Sequence, residues 1–314
     1  MGLMPSGALA QGGPPVGGER VEFTSLDQRL APEKVLGYLY LPAGASEGKK
    51  APAMVVVHGS GGVRDTREGD YGRGLSAAGI AVLAIDSFTP RGVGSTVEDQ
   101  SKITSGQMVR DAFAALAFLS KHSAIDPGRI GVMGMSKGGA VAMQAADPRE
   151  QAEARKRMAV GSFSAHIPLY PGCTRQYRNP RMAAPMLVLI GADDDYTGVK
   201  PCAAYVDRIQ TAGGKVELKT YPGAVHGFDG DTSTRRHFRL HTAQNFRECL
   251  FWIEDDGRVV TRAGTPIDPY NVAGNIEIAR RECMSLGATV GGDARAKAQA
   301  LADIKTFLKT HLMH

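Results

Sequence analysis

The sequence predicts an α/β fold in which a mostly parallel central sheet carries helices on both faces. Short, continuous apolar runs at 53–57, 80–85 and 185–190 are typical of strands that are buried on both sides. Segments with helical periodicity separate these runs, and alternating strands and helices form parallel sheets. The hydrophobic content of 43% is sufficient for one large core. We therefore expect residues 20–314 to form a single domain.

The remaining elements follow in chain order from the same periodicity and boundary signals. Two strands of antiparallel character open the domain, and the last strand alternates in polarity as an edge strand does. The predicted strands cover 21–26, 35–41, 53–57, 80–85, 129–133, 164–170, 185–190 and 215–221. The predicted helices cover 71–78, 103–122, 140–146 and 150–158.

Charge and hydropathy argue against two kinds of partner. The net charge is +5, but the basic residues are dispersed, and their densest runs at 155–157 and 235–236 are short. This pattern favours a solvated basic surface over a nucleic-acid groove. No apolar run approaches the roughly 20 residues that a membrane-spanning helix requires. The sequence therefore predicts neither a nucleic-acid partner nor a membrane span.

The N-terminal stretch is interpreted separately from the domain. Residues 1–19 are rich in Gly and Pro and lack periodicity, which predicts a disordered tail. Within them, Ala-Leu-Ala-Gln at 8–11 has the small-x-small pattern of a signal-peptidase site. We interpret the tail as a signal-peptide remnant, which predicts a periplasmic or secreted protein. A coincidental match in a cytoplasmic protein is the alternative.

The central motif is Gly-Met-Ser-Lys-Gly-Gly at 134–139, between a predicted strand and a helix of small residues. Strand, sharp turn and helix around Gly-x-Ser-x-Gly form a nucleophile elbow. The turn holds Ser136 in a strained backbone conformation and leaves no room for side chains at Gly134 and Gly138. The alternative is a glycine-rich turn with an ordinary serine, and partner residues elsewhere decide between the two.

A serine hydroxyl needs a base to remove its proton and a carboxylate to orient that base. Gly-Ala-Asp-Asp-Asp at 191–195 follows one predicted strand, and Pro-Gly-Ala-Val-His at 222–226 follows the next. The order serine, acid, histidine is that of α/β-hydrolases, and both loops follow strand ends, where open α/β sheets place their sites. The residues thus predict Ser136 as nucleophile and His226 as base, with one of three adjacent aspartates as the acid.

A glycine-rich loop follows the strand at 53–57. His-Gly-Ser-Gly-Gly at 58–62 lacks the spacing of a P-loop or a dinucleotide site. It resembles the oxyanion loop of esterases, whose main-chain N–H groups face the oxygen that becomes negative during acyl transfer. The expected donors are the N–H of Lys137 and that of Gly59 or Ser60, while a plain flexible loop is the alternative. The cysteines form no C-x-x-C pair, and neither a metal nor an organic cofactor is predicted.

Four motifs together resemble the dienelactone hydrolase family of the α/β-hydrolase superfamily; they lie at 86–92, 134–139, 191–194 and 221–228. The resemblance covers about 20–228 and 287–312 and implies an α/β-hydrolase fold with activity on esters or lactones. The family's acidic residue stands three places after the glycine of its turn, which here is Asp194. The adjacent Asp193 and Asp195 remain open as alternatives.

The nucleophile departs from the enzymes that give the family its name, which use a cysteine where this chain has Ser136. This difference favours a general carboxylic-ester hydrolase acting on small esters or lactones. A peptidase of the prolyl-oligopeptidase type would carry a large extra domain for which the chain lacks the length. A non-catalytic binding module would not be expected to keep an ordered triad. The residues expected to line the substrate pocket are Arg91, Tyr196, Phe228 and Trp252.

An insertion is indicated at 229–286, because this segment is longer than the family core requires. Helices are predicted at 242–253, which contains Trp252, and at 276–284, with a turn at 255–258. Their apolar side chains would either form one wall of the acyl pocket or pack on the outer face of the sheet.

Two disulfides are expected if the protein is exported, whereas the same cysteines would be buried thiols in the cytosol. Cys173 and Cys202 follow the ends of neighbouring predicted strands, which would bring them together beside the acid loop. Cys249 and Cys283 would join the two predicted helices of the insertion into a fixed rim.

Overall fold

A central eight-stranded sheet organises the described part of the chain, which in this computed structural model comprises residues 13–27, 34–232 and 237–313. The strands are β1 (Glu19–Thr24), β2 (Lys34–Tyr40), β3 (Ala51–Val57), β4 (Ala81–Asp86), β5 (Ile125–Met135), β6 (His166–Leu169), β7 (Arg175–Tyr177), β8 (Met186–Gly191), β9 (Val216–Tyr221), β10 (Phe238–Asn245), β11 (Phe251–Ile253), β12 (Val259–Thr261), β13 (Pro266–Ile267) and β14 (Ser285–Val290). The helices are α1 (Asp70–Ser76), α2 (Ser105–Ser120), α3 (Lys137–Gln144), α4 (Pro148–Arg155), α5 (Val199–Thr211), α6 (Val272–Glu282) and α7 (Ala294–His311). Short π-helical and 3₁₀ turns occupy Asp65–Gly69 and Thr89–Arg91.

The strand order of the central sheet is β1-β2-β4-β3-β5-β6-β8-β9. The pairs β1–β2 and β2–β4 are antiparallel, and every later pair from β4–β3 to β8–β9 is parallel. This mostly parallel sheet confirms the predicted fold class. The carboxyl ends of the parallel strands share one edge, so the loops after β3, β5, β8 and β9 meet there.

Alternating side chains along the buried strands supply a core on each face of the sheet. In β3, Val55 and Val57 belong to the core under α2 and α3, whereas Met54 and Val56 belong to the core under α1, α5 and α7. All four side chains are fully buried. The continuous apolar run that predicted this strand therefore reflects burial on both sides.

Helix α2 starts two residues later than predicted because a capping box defines its first turn. The Thr104 hydroxyl oxygen accepts from the Gln107 N–H at 3.3 Å, and Gln107 Oε1 accepts from the Thr104 N–H at 2.7 Å. These reciprocal bonds satisfy main-chain donors that the helix itself leaves unpaired. They also fix the helix end that faces the functional site.

The insertion folds largely as strands, so the helix predicted at 242–253 is wrong. β10 pairs with β14, and β11 pairs in parallel with β7. Phe246 and Leu250, which are spaced as on a helix face, lie in the connection between β10 and β11. Pairing with strands distant in sequence outweighs this local periodicity. The helix predicted at 276–284 lies mostly within α6.

The predicted disorder and signal-peptide remnant fall largely on residues 1–12, which lie outside the described residues. Residues 13–18 run beside the domain. There the Val16 N–H donates to Asp65 Oδ1 at 2.7 Å, and the Tyr40 hydroxyl donates to the Val16 oxygen at 3.1 Å. None of the helices in the described ranges is both long and apolar enough to span a bilayer.

Candidate active site

Ser136 stands on a sharp turn between β5 and α3. Its φ of 56° lies in the left-handed region, which a residue other than glycine rarely adopts. A Cβ on Gly134 would lie 2.2 Å from the Gly138 oxygen, and one on Gly138 would lie 2.0 Å from the Val57 oxygen. Both positions therefore require glycine, and the backbone holds the serine in a strained conformation above the sheet.

A continuous hydrogen-bond chain connects the three sequence-predicted polar residues. The Ser136 hydroxyl donates to His226 Nε2 at 2.9 Å. The His226 Nδ1–H donates to Asp194 Oδ2 at 2.8 Å. The elbow follows β5, the aspartate follows β8 and the histidine follows β9, so the shared edge of the sheet brings them together.

The Asp194 carboxylate is almost completely buried and accepts several hydrogen bonds. The N–H groups of Tyr196 and Thr197 donate to Oδ1 at 2.8 Å, and the Thr197 hydroxyl donates to Oδ2 at 2.8 Å. Burial raises the pKa of Asp194, but the His226 charge and the bonds from His226 and Thr197 outweigh it and hold the pKa below its usual value. The carboxylate therefore stays ionised beside the imidazole.

The other two aspartates of the triplet face elsewhere. Asp193 is exposed to solvent. Asp195 accepts from the Arg239 guanidinium at 2.5 Å and from the Thr289 N–H and hydroxyl at 2.6 and 2.9 Å. Asp195 therefore connects the acid loop to β10 and β14, and the geometry brings only Asp194 to His226.

Two tyrosines flank the imidazole, and the sequence analysis did not identify one of them. The rings of Tyr170 and Tyr196 each lie 4.7 Å from that of His226. Tyr170 has a positive φ of 34° and donates its hydroxyl to the buried Asp229 at 2.5 Å, which also accepts from Tyr71 at 2.9 Å. Asp229 directly follows the motif at 221–228, and its position was the only sequence signal that pointed to this contact.

The predicted oxyanion residues lie around Ser136. Ser60 and Lys137 line the same cavity as the serine. A Cβ on Gly59 would lie 3.2 Å from Ser136 Cβ, so the glycine allows the loop to approach the elbow closely. The Ser60 hydroxyl lies 3.1 Å from Gln100 Nε2, which fixes this loop against the segment before α2.

The Lys137 side chain makes contacts that the sequence analysis did not predict. Its Nζ donates to Thr96 Oγ1 at 2.9 Å and to the Ile103 oxygen at 2.5 Å. Burial lowers its pKa to about 7, against the opposing influence of the Asp99 charge. The amine therefore connects the nucleophile turn to the segment 96–103.

A cavity of about 520 Å³ opens at Ser136. The insertion supplies one wall, with largely apolar side chains that include Phe246, Phe251, Ile267, Tyr270 and Ile276. The opposite side is polar and is formed by the first turn of α2 and by α3, with Thr104, Gln107 and Gln144. The insertion thus contributes directly to the cavity rather than only to the outer face of the sheet.

Of the four expected pocket residues, Tyr196 lines this cavity. Its hydroxyl is buried beside Gln100, but it has no hydrogen-bond partner of acceptable geometry in the described residues. Burial raises the pKa of Tyr196 above its usual value, so the hydroxyl stays protonated.

Arg91 and Phe228 lie outside the cavity lining, which corrects the expectation for both. The Arg91 guanidinium is buried and binds both oxygens of Asp111 on α2, at 2.6 and 2.9 Å. This pairing leaves the positive charge compensated inside the fold. Phe228 is fully buried and packs edge-on against Tyr170 and Tyr221.

Trp252 also lies outside the cavity lining. It is half-buried between the guanidinium groups of Arg178 and Arg208, whose central carbons lie 4.5 and 4.6 Å from its ring. The preceding residue, Phe251, lines the cavity instead. Successive side chains of a strand point to opposite faces, so β11 directs Phe251 toward the cavity and Trp252 away from it.

The structure pairs the cysteines as Cys173–Cys202 and Cys249–Cys283. The first pair joins the segment after β6 to the first turns of α5, which follows the Asp194 loop. The second pair joins the connection before β11 to the end of α6, rather than two helices as predicted. It therefore holds together two parts of the cavity wall.

The sheet order and the position of Ser136 define the class of protein. A mostly parallel sheet with a serine elbow after β5, and with acid and histidine loops after β8 and β9, is an α/β-hydrolase. The chain belongs to the dienelactone hydrolase family, which it matches over residues 35–252, as its motifs predicted. It is accordingly a hydrolase of the carboxylic-ester class.

Three similar proteins illustrate the range of the family and fold. A Bradyrhizobium protein named as a probable 2-oxo-3-(5-oxofuran-2-ylidene)propanoate lactonase is 28% identical, covering 66% of this chain and 82% of its own. A Methylorubrum extorquens protein provisionally named carboxymethylenebutenolidase is 29% identical, covering 70% and 76%. The propionate-bound structure of a thermophilic esterase from Thermogutta terrifontis has a TM-score of 0.56 at 19% identity, covering 69% and 88%. At that identity, the structural likeness shows the shared fold.

Proposed function

We propose that the protein hydrolyses small carboxylic esters or lactones through a covalent acyl-enzyme. Ser136 is the nucleophile, His226 is the general base and acid, and Asp194 is the orienting carboxylate. The observation that carries the proposal is the hydrogen-bond chain from Ser136 to His226 to Asp194, at 2.9 and 2.8 Å. Such a chain activates a serine that is a weak nucleophile on its own.

In the acylation step, Ser136 Oγ attacks the carbonyl carbon while its proton passes to His226 Nε2. The electron pair of the carbonyl π bond moves onto oxygen and gives a tetrahedral oxyanion. The Lys137 N–H and the N–H of Gly59 or Ser60 donate hydrogen bonds to this oxygen. His226 then gives its proton to the leaving oxygen as the bond between carbon and that oxygen breaks.

In the deacylation step, water replaces the alcohol. His226 takes a proton from the water as its oxygen attacks the acyl carbon, and returns the proton to Ser136 Oγ as the acid leaves. The ionised Asp194 stabilises the imidazolium that forms in both steps, which is consistent with its lowered pKa.

The cavity supports small ester substrates with an apolar acyl group. Its volume of about 520 Å³ falls in the range of small-molecule sites. The apolar side chains of the insertion wall, including Phe251, would contact the acyl group beside Ser136. Lactones belong to the proposal because one similar protein is named as a lactonase. A lactone opens by the same acylation step, with the leaving oxygen remaining tethered to the acyl group.

An assay with two substrate classes tests the proposal. p-Nitrophenyl acetate and butyrate, together with an unsubstituted five-membered lactone, are compared with an aminoacyl p-nitroanilide. We expect hydrolysis of the esters and no release of nitroaniline, with ester hydrolysis abolished in Ser136→Ala. Preferential nitroanilide cleavage would establish the peptidase alternative, and ester hydrolysis that survives in Ser136→Ala would refute the proposed nucleophile.

We also propose that the protein acts in the periplasm or outside the cell. The two cysteine pairs at disulfide distance support this proposal, because such bonds persist in oxidising compartments. Cell fractionation with an antibody against the chain tests it. Recovery of the protein in the cytoplasmic fraction with reduced cysteines would contradict it.

A further inference from the structure

The Lys137 side chain connects the two sides of the proposed oxyanion site. Its Nζ donates to Thr96 Oγ1 at 2.9 Å. The Thr96 N–H donates in turn to the Ser60 main-chain oxygen at 2.8 Å. Two hydrogen bonds therefore lead from the residue that follows the nucleophile to the loop that faces it.

The segment 96–103, which these bonds hold in place, contains neither helix nor strand. Besides Lys137, its main partners are the oxyanion loop and the insertion. Gln100 bonds the Ser60 hydroxyl at 3.1 Å through its side chain and Gln244 Oε1 at 2.9 Å through its N–H. Lys137 holds the segment from the interior, since Nζ also donates to the Ile103 oxygen at 2.5 Å.

The Lys137 ammonium group carries a desolvation cost at this position that an apolar side chain would avoid. Lys137 is partly buried, and its Nζ has no carboxylate at ion-pair distance in the described ranges 13–27, 34–232 and 237–313. The Asp99 charge acts on it from the segment 96–103, and the Phe88 ring lies 5.9 Å away. The contacts of Nζ are thus mostly with neutral oxygen acceptors. This indicates that the position requires a hydrogen-bond donor directed at those oxygens, rather than a charge paired with a carboxylate.

We infer that Lys137 is a positioning residue for the oxyanion site. Through Thr96 it fixes Ser60, and with it the N–H groups of Gly59 and Ser60, at a set distance from its own main-chain N–H. Oxyanion donors act only when they lie about 2.7–3.1 Å from the developing charge. A small shift of the Gly59–Ser60 loop relative to the Lys137 N–H would therefore prevent the oxyanion from bonding well to both donors. The inference rests on the proposed function, because it concerns the same serine reaction.

Isosteric substitutions at Thr96 provide the sharpest test. Thr96→Val removes the acceptor while keeping the shape, and Thr96→Ser keeps the acceptor. We expect Thr96→Val and Lys137→Met to lower kcat for p-nitrophenyl butyrate about 10- to 100-fold, with KM changed less than about twofold. Thr96→Ser should remain close to wild type, and the double variant Lys137→Met, Thr96→Val should be no slower than the slower single variant. The exposed Lys121→Met serves as the control, with kcat unchanged.

Three outcomes would overturn the inference. They are an unchanged kcat in Thr96→Val, an equal loss in Thr96→Ser and Thr96→Val, and a loss confined to KM. If Lys137→Met does not fold, the Thr96 pair decides alone, because both variants keep the lysine. Failure of the proposed function is separate, since it would show as a wild-type protein without ester hydrolysis or as an active Ser136→Ala.

Discussion

His226 Nδ1 lies 2.8 Å from Asp194 Oδ2, and this contact selects one of three consecutive aspartates as the partner of the histidine. Backbone turn geometry separates the three side chains. Asp194 is directed inward, where the N–H groups of Tyr196 and Thr197 bind it, while Asp193 is exposed and Asp195 contacts the insertion. The triplet therefore divides into an orienting carboxylate, a solvated one and a structural one.

Replacement of each aspartate by asparagine tests this division. Asp194→Asn should lower kcat by about four orders of magnitude, because the amide orients the imidazole in the wrong tautomer. Asp193→Asn should leave kcat unchanged. Asp195→Asn should lower the melting temperature, because it weakens the contacts to Arg239 and Thr289. Steady-state kinetics and thermal unfolding on the same preparations measure both effects, and a larger kinetic loss in Asp193→Asn or Asp195→Asn would contradict the assignment.

Ser136 and His226 could be predicted from sequence because each lies in a short motif directly after a strand. The edge shared by parallel strands then determines that they meet. The choice among the aspartates depends on which way each side chain of a tight turn points, and three identical residues carry no signal for that. The contacts of Lys137 were missed for a related reason, since Thr96 lies in a segment without periodicity and Ile103, predicted to begin a helix, lies just before α2.

The sequence-based prediction was least accurate in the insertion. Its short strands pair with β7 and β14, and such distant pairing leaves little trace in local periodicity. The error extended to Trp252, which was counted with the other apolar residues of the predicted helix, whereas strand alternation places Phe251 in the cavity wall and Trp252 on the other face of β11. Arg91 was placed in the pocket on the strength of its motif, which does not reveal that Asp111 on α2 neutralises it.

Neighbouring substitutions in β11 test how the cavity wall selects the acyl group. Phe251→Ala should shift the preference from short toward longer p-nitrophenyl esters, because it removes a ring that lines the cavity. Trp252→Ala should leave this preference unchanged and lower stability, because it removes the ring between Arg178 and Arg208. Relative kcat/KM values across acetate, butyrate and octanoate measure the selectivity. A change of preference in Trp252→Ala alone would show that the cavity wall is assigned to the wrong face of β11.

The cysteine pairs predict a definite chemical state. Protein from an oxidising compartment should take up no alkylating reagent under denaturing conditions, and after reduction all four cysteines should react. Intact mass measures both states. The double variant Cys173→Ser, Cys202→Ser should lose roughly 3 to 4 kcal/mol of unfolding free energy in the chain-entropy estimate for a loop of this length. Four free thiols before reduction would contradict the pairing and weaken the proposal of export.

His166 predicts a loss of stability in mild acid. It is buried in β6, its Nδ1–H donates to the Ala142 oxygen at 2.9 Å, and its Nε2 has no partner in the described residues. Burial lowers its pKa to about 4 from the usual 6.5. Between these pH values His166 binds a proton in the unfolded chain but not in the folded protein. The stability that depends on neutral His166 is therefore fully present above pH 6.5 and is lost as the pH falls toward 4. The shift corresponds to about 3 kcal/mol.

The variant His166→Asn separates this titration from packing, because the asparagine amide retains a donor for the Ala142 oxygen and does not ionise. It should be less stable than wild type at pH 7, where it leaves a small cavity. Its unfolding free energy, from urea titrations at intervals between pH 7 and pH 4, should nevertheless fall less steeply than that of wild type. His241→Asn, at an exposed histidine, should follow the wild-type slope. Parallel slopes for wild type and His166→Asn would mean that His166 does not titrate in the way that its burial requires.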